Sequence, residues 1–118
     1  MDNKTFAAEL ETRTKRFAAL VIKLSTQLPN SPEGKVIRNQ ITKSGTSIGA
    51  NYREGNRGRS RADFINKIKI CEAEASETCY WLDIIDAVEW LAKHQLTEIS
   101  DESNQLLGLF ASIGPKYK

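Results

Sequence analysis

Residues 60–91 read SRADFINKIKICEAEASETCYWLDIIDAVEWL, and this stretch decides the fold. Phe64, Ile68, Cys71, Ala75, Cys79, Leu82 and Ile85 recur at steps of three and four, which lines them along one stripe of an α-helix and does not fit the two-residue alternation of a strand. Ser60 with Asp63 three residues on resembles a capping box with aspartate in place of glutamate, so the helix is expected to run from Arg61 to about Leu91. At 1.5 Å per residue such a helix is ~45 Å long, and its stripe needs partners of similar length. Toward its C-terminal half a second apolar face appears, made by Trp81, Ile84, Val88 and Leu91. One face serves a core; an additional exposed one marks an interface, so these four are the candidate oligomer contacts.

Working outward, the segment before it supplies one partner. Ser31-Pro32-Glu33 offers a capping hydroxyl, proline at the first helical position and an acid in the first turn. The helix that follows carries Ile37, Ile41, Ser44, Ile48 and Tyr52 on one stripe, and Gly55-Asn56-Arg57-Gly58-Arg59 is expected to be the turn into the next helix. Its middle, Ser44 to Asn51, is poor helix on propensity alone, because each glycine costs ~1 kcal/mol relative to alanine. Gly45 and Gly49, four apart, share a face. Close packing against another helix explains them; a phosphate-cradling loop would need a preceding strand and a lysine-serine element, and neither is present.

A further helix is expected from Thr5 to Leu28, with Phe6, Leu10, Phe17, Leu20, Val21, Leu24 and Leu28 on its stripe and Pro29 as its stop. Glu9–Arg13 and Glu11–Lys15 stand as acid-first pairs at i, i+4. After a connection at Lys93-His94-Gln95, Thr97 is read as the cap of a last helix carrying Ile99, Leu106, Leu109, Phe110 and Ile113. Gly114-Pro115 ends it, leaving a basic tail, Lys116-Tyr117-Lys118. Four helices joined by short connections imply an all-α, antiparallel up-and-down four-helix bundle, a single domain over residues 1–118 with one core.

Composition bounds the rest. No uncharged run reaches the ~20 apolar residues of a membrane helix, and Met1-Asp2-Asn3-Lys4-Thr5 has no basic region ahead of an apolar block; the expectation is a cytoplasmic protein that makes no use of a membrane. Cys71 and Cys79, ~12 Å apart on one helix, are too distant to bond to each other and read as small core hydrophobes. Net charge is +2, unevenly spread: residues 35–69 carry nine basic and two acidic side chains, a net +7, and residues 72–102 carry nine acidic and one basic, a net −8. Such blocks bind an anionic partner or complement each other within or between subunits.

The residues for catalysis are not found. Di-metal bundle sites need Glu-x-x-His on two helices, whereas the one histidine, His94, has Leu91 three residues before it. Glu74 and Glu77 share a face and read as ion-pair partners for Arg38, Lys43 or a neighbouring subunit. No nucleophile has a base nearby in sequence. Neither an enzyme nor a cofactor is expected.

Gln40, the run Ser44-Gly45-Thr46-Ser47-Ile48-Gly49-Ala50-Asn51-Tyr52-Arg53-Glu54-Gly55, the arginine-rich turn, Ser60 to Lys67 and Glu74 to Leu82 resemble the bacterial four-helix-bundle proteins encoded in intervening sequences of 23S ribosomal RNA genes. The resemblance is close from about Pro29 to Leu91 and looser at both ends. It implies a four-helix bundle assembled as a ring-like homopentamer, and kinship with the accessory protein of diversity-generating retroelements, a basic pentamer that binds nucleic acid and a reverse transcriptase. This chain, at +2, is much less basic than that relative. Two functions are left. One is a nucleic-acid-binding oligomer using Arg53, Arg57, Arg59, Arg61, Lys67 and Lys69 to neutralise backbone phosphates. The other is an oligomeric scaffold for a protein partner, with the basic turn pairing the acidic helix of the next subunit. A turn that is merely solvated is the third reading of the same arginines.

Overall fold

The computed structural model describes residues 3–117: four α-helices, α1 (Asn3–Ser25), α2 (Pro32–Asn56), α3 (Arg61–Ala87) and α4 (Lys93–Ile113), then a 3-10 turn, Gly114–Tyr117. Met1, Asp2 and Lys118, the end of the basic tail, lie outside the described residues. Pairings between helices fix their directions. Glu11 meets Asn56 and Thr14 lies against Gly49; Ser44 meets Thr78 and Glu54 meets Lys67; Arg13 meets Glu102 and Gln27 meets Gln95. In each case an advance along one helix is a retreat along the other, so α1–α2, α2–α3 and α1–α4 are antiparallel. Helices consecutive in sequence pack side by side, α4 returns beside α1, and the α2–α3 seam is the most extensive while α1–α4 is the slightest. This is the up-and-down four-helix bundle, 44 Å along its long axis.

The apolar stripes meet at the centre. Phe17, Val21, Ile41, Ile48, Ile68, Ile85, Leu106 and Phe110 are at most 1 % exposed, and the Tyr52 and Phe110 rings meet edge to face at 5.5 Å. Each helix also buries one hydroxyl completely: Thr14, Ser44, Thr78 and Ser103. None is left unpaired. Thr14 donates to the carbonyl of Leu10, Thr78 donates to the Ser44 hydroxyl oxygen at 2.9 Å, and Ser103 lies 3.0 Å from the Cys79 sulfur. Buried polar groups satisfied in this way avoid the penalty of stranded ones.

Local chemistry sets the ends. Ser31 and Ser60 cap α2 and α3, their hydroxyl oxygens accepting from the backbone N–H of Gly34 and Asp63, as the sequence predicts. Gly34 has a further reason to be glycine: a Cβ there would lie 1.8 Å from the carbonyl oxygen of Pro29, so the loop between α1 and α2 closes only over a bare backbone.

Several expectations are corrected. The first helix ends at Ser25, and Thr26 to Leu28 form turns ahead of Pro29. The second continues through Gly55, which packs so closely on α3 that its missing Cβ would be 3.0 Å from that of Lys67. The third stops at Ala87 rather than Leu91, because Glu89 turns left-handed (φ 58°). The fourth starts at Lys93 from Ala92, and the Thr97 hydroxyl, placed inside the helix, donates to the carbonyl of Lys93. Phe6 is 39 % exposed instead of core, and Thr78, not its neighbour Cys79, is the fully buried residue of that turn. The pairs expected within α1 do not form: Arg13 reaches Glu102 of α4, and Glu11 turns to Asn56 and Arg57.

Candidate nucleic-acid interface

Four residues, Arg57 to Ser60, join α2 to α3 at one end of the bundle. Arg57 closes α2: its backbone N–H donates to the carbonyls of Glu54 and Gly55, and its Nη1 donates to the carbonyl of Arg53 at 3.2 Å. Glu11 of α1 holds this end down. One carboxylate oxygen accepts from Asn56 Nδ2 at 2.8 Å, and the other lies 3.5 Å from Arg57 Nη1. Lys67 Nζ pairs with Glu54 at 2.8 Å across the α2–α3 seam. Arg53, Arg59, Arg61 and Lys69 are exposed, and among the described residues no ion pair reaches Arg53, Arg59 or Lys69.

The six expected cations therefore share one end of the bundle but not one flat patch. Lys67 and Lys69 sit about 200° apart around α3 at ~100° per residue, so Lys67 faces the α2 seam and Lys69 faces away from it. Arg53 and Arg57 face α1 instead. With Glu11, Lys15, Thr46 and Gly49 they line an open groove between α1 and α2 of about 420 Å³. Lys15, on the α1 wall, is a cation of this region that sequence reading left out; its i, i+4 relation to Glu11 hid it as half of a local pair.

The glycine pair does bring backbones together. A Cβ on Gly45 would lie 2.8 Å from both Val21 methyls, and one on Gly49 would lie 2.9 Å from the Thr14 hydroxyl. Gly49 thereby forms part of the groove floor.

At the other end of α3, Val88 is 49 % exposed while Trp81, Ile84 and Leu91 are half-buried, Trp81 and Leu91 against the core. The Trp81 indole N–H donates to Glu77 and its ring meets Tyr80 edge to face. Exposed Tyr80 and Val36 enlarge this apolar region. Extending the Ser44–Thr78 register by eight residues puts Val36 level with Asp86, within a turn of Ile84 and Val88; no stripe in α2 reveals that, because the neighbour is on another helix. Burial, and then repulsion by Glu77, push the Glu74 carboxyl above the usual range, and Lys43 opposes the shift. No ion pair reaches Glu74 or Glu77 among the described residues, and Arg38 donates to Asn30 instead. Burial pushes the Cys71 thiol up to about 12, which leaves it protonated. Among the described residues no group of three or more His, Cys, Asp or Glu side chains is placed to hold a metal ion, and no helix is long and apolar enough to cross a membrane.

Comparison with known proteins adds the lineage. No curated protein matches the chain. Among solved structures, a protein of unknown function from the S23 ribosomal protein family of Bacteroides thetaiotaomicron is 39 % identical, over 88 % of this chain and 96 % of that one, with a TM-score of 0.81. The family described as 23S rRNA-intervening sequence protein matches residues 8–112, a span that takes in all four helices, the two glycines and the basic turn. The chain belongs to the 23S rRNA-intervening sequence protein family.

Proposed function

We propose that this chain is a non-catalytic, cytoplasmic, oligomeric bundle that binds the phosphate backbone of nucleic acid through the end of the bundle where α2 meets α3. The observation that carries the reading is the set of exposed cations there, with Arg53, Arg59 and Lys69 paired to no carboxylate among the described residues. Arg59 and Arg61 flank the Ser60 cap of α3. Cations at a helix N-terminus work against the macrodipole by a few tenths of a kcal/mol each, and an anion bound there would reverse that penalty. The spread of the cations around the bundle end suits a curved or extended backbone and offers no means of reading bases. A homopentamer, as the family resemblance implies, would repeat the contact around a ring and add avidity.

The test is duplex binding by the full chain between 50 and 200 mM salt. The affinity should fall steeply, and changing Arg57, Arg59 and Arg61 together to glutamine should flatten the dependence while light scattering reports an unchanged oligomer. A parent chain that ignores duplex at 50 mM salt removes the reading. The alternative, an oligomeric scaffold that engages a protein partner and uses the basic turn for subunit pairing, is favoured by exposed Val36, Tyr80 and Val88. It predicts that the triple substitution dissociates the oligomer.

A further inference from the structure

The groove between α1 and α2 has the composition of a phosphate pocket. Lys15 stands on the α1 wall, Arg53 and Arg57 on the α2 wall, and Gly49 and Thr46 beneath them, around about 420 Å³ of open space. Its charged side chains sum to +2, the only carboxylate being that of Glu11. That carboxylate is already engaged, one oxygen by Asn56 and the other by Arg57. The Glu11–Arg57 contact is long at 3.5 Å and Arg57 is 58 % exposed, so the pairing is of the weak surface kind and the guanidinium is available to a stronger anion. Among the described residues Lys15 and Arg53 meet no carboxylate. Close approach of the helices at Gly49 and Thr14 brings the two walls together, so that a lysine and two arginines line one groove from opposite sides. An anion in that groove gains charge-assisted hydrogen bonds from both sides, and the arginine fork favours the oxygens of a phosphate.

The geometry points to this groove as a binding site for a phosphate group, with Lys15, Arg53 and Arg57 as its cations. The inference rests on the nucleic-acid reading to the extent that a backbone phosphate is one source of the group; a free nucleotide is the other. In the first case the strand leaves the α2–α3 turn and continues along the α1–α2 face, and Lys15 becomes a contact outside the basic segment of the sequence.

Three single variants of the full chain, with the double variant Arg59→Gln/Arg61→Gln as the comparison for the turn, separate the possibilities. Lys15→Gln removes one groove cation from an exposed helix position, Glu11→Gln removes the competing negative charge while leaving an acceptor for Asn56, and Lys93→Gln removes an equal positive charge at the opposite end of the bundle. With a labelled 20-base-pair duplex at 50 mM salt, Lys15→Gln should weaken binding at least about 3-fold and lower the log–log salt slope by about one. Glu11→Gln should strengthen binding, and Lys93→Gln should match the parent. Amide NMR titrations with inorganic phosphate and with AMP should move the signals of Lys15, Thr46 and Ala50. Movement by duplex alone assigns the group to the polymer. If Lys15→Gln equals Lys93→Gln while Arg59→Gln/Arg61→Gln weakens duplex binding, the groove proposal fails and the turn reading stands. If duplex does not bind but phosphate or AMP moves the groove signals, the groove stands and the nucleic-acid reading fails. Neither response overturns both.

Discussion

The Cβ that Gly49 lacks would lie 2.9 Å from the hydroxyl oxygen of Thr14 and 3.1 Å from its Cβ. Thr14 cannot yield, because its hydroxyl is committed to the carbonyls of Leu10 at 2.9 Å and Glu11 at 3.0 Å. Gly49→Leu should therefore part α1 from α2 and destabilise the fold by about 1–3 kcal/mol. Urea unfolding followed by circular dichroism reads it as a lower midpoint. An unchanged midpoint would mean that the seam opens without cost.

Glu89 is the one described non-glycine residue with positive φ, at 58°, and it ends α3. Its N–H donates to the carbonyl of Asp86 and the Trp90 N–H donates to that of Ile85, the paired bonds of a Schellman ending. A side chain in this left-handed position costs roughly 1 kcal/mol, and an acid near the negative end of the helix dipole adds to the penalty. Glu89→Gly should raise stability by about 1 kcal/mol. A lower melting temperature would show that the Glu89 side chain holds a contact that matters more than the strain.

These two positions mark what the sequence discloses. Gly49 sits inside a helical run, where two glycines four apart have few explanations besides a close neighbour. The left-handed turn at Glu89 has no glycine or asparagine to announce it, so the apolar period reads on to Leu91. The start of α4 is hidden for the same reason: Ala92 offers no capping oxygen, and Gln95, which accepts from the Ala92 N–H at 2.8 Å, is half of a box whose other half is missing. Side-chain partners were the least legible part of the site. Glu11 and Lys15 satisfy the local i, i+4 rule, yet Glu11 turns to Asn56 and Arg57 once α2 lies alongside. Thr78 looks less apolar than Cys79 until Ser44 arrives to accept its proton.

Ala92 has the extended backbone of an N-cap, φ −72° and ψ 153°, but no side-chain cap. Ala92→Ser should supply one to the first turn of α4 and stabilise the chain by about 1 kcal/mol. Denaturant midpoints of the two proteins measure it directly, and equal values would mean that water already serves the free N–H groups as well.

Arg13 is the clasp of the slightest seam. Its Nε and Nη2 both donate to Glu102 at 2.7 Å, and Nη2 also reaches Gln105 at 2.8 Å. The side chains remain 33 % and 23 % exposed, so solvent screens the pair and the bidentate geometry is worth about 1 kcal/mol rather than several. Glu102→Gln should cost about that much in low salt. In 1 M salt most of the difference should vanish, because the Debye length falls to about 3 Å. A deficit that survives high salt would locate the effect in packing instead.

Glu74 gives the fold a pH dependence whose sign is fixed. Burial, reinforced by Glu77 and opposed by Lys43, raises its folded pKa above the unfolded value of roughly 4.3. The folded state then binds the proton more tightly than the unfolded state. Stability from this group is complete below the unfolded pKa and is lost as pH rises through the folded one. At neutral pH the ionised carboxylate opposes folding, though only modestly, because the side chain is half-buried and Lys43 offsets part of the cost. Glu74→Gln should accordingly unfold at slightly higher urea than the parent at pH 7, and the gap should close by pH 4, where the parent carboxyl is protonated in the folded chain. A variant less stable than its parent at pH 7 would mean that attraction to Lys43 outweighs both burial and Glu77, and that this flank of α3 is held by charge.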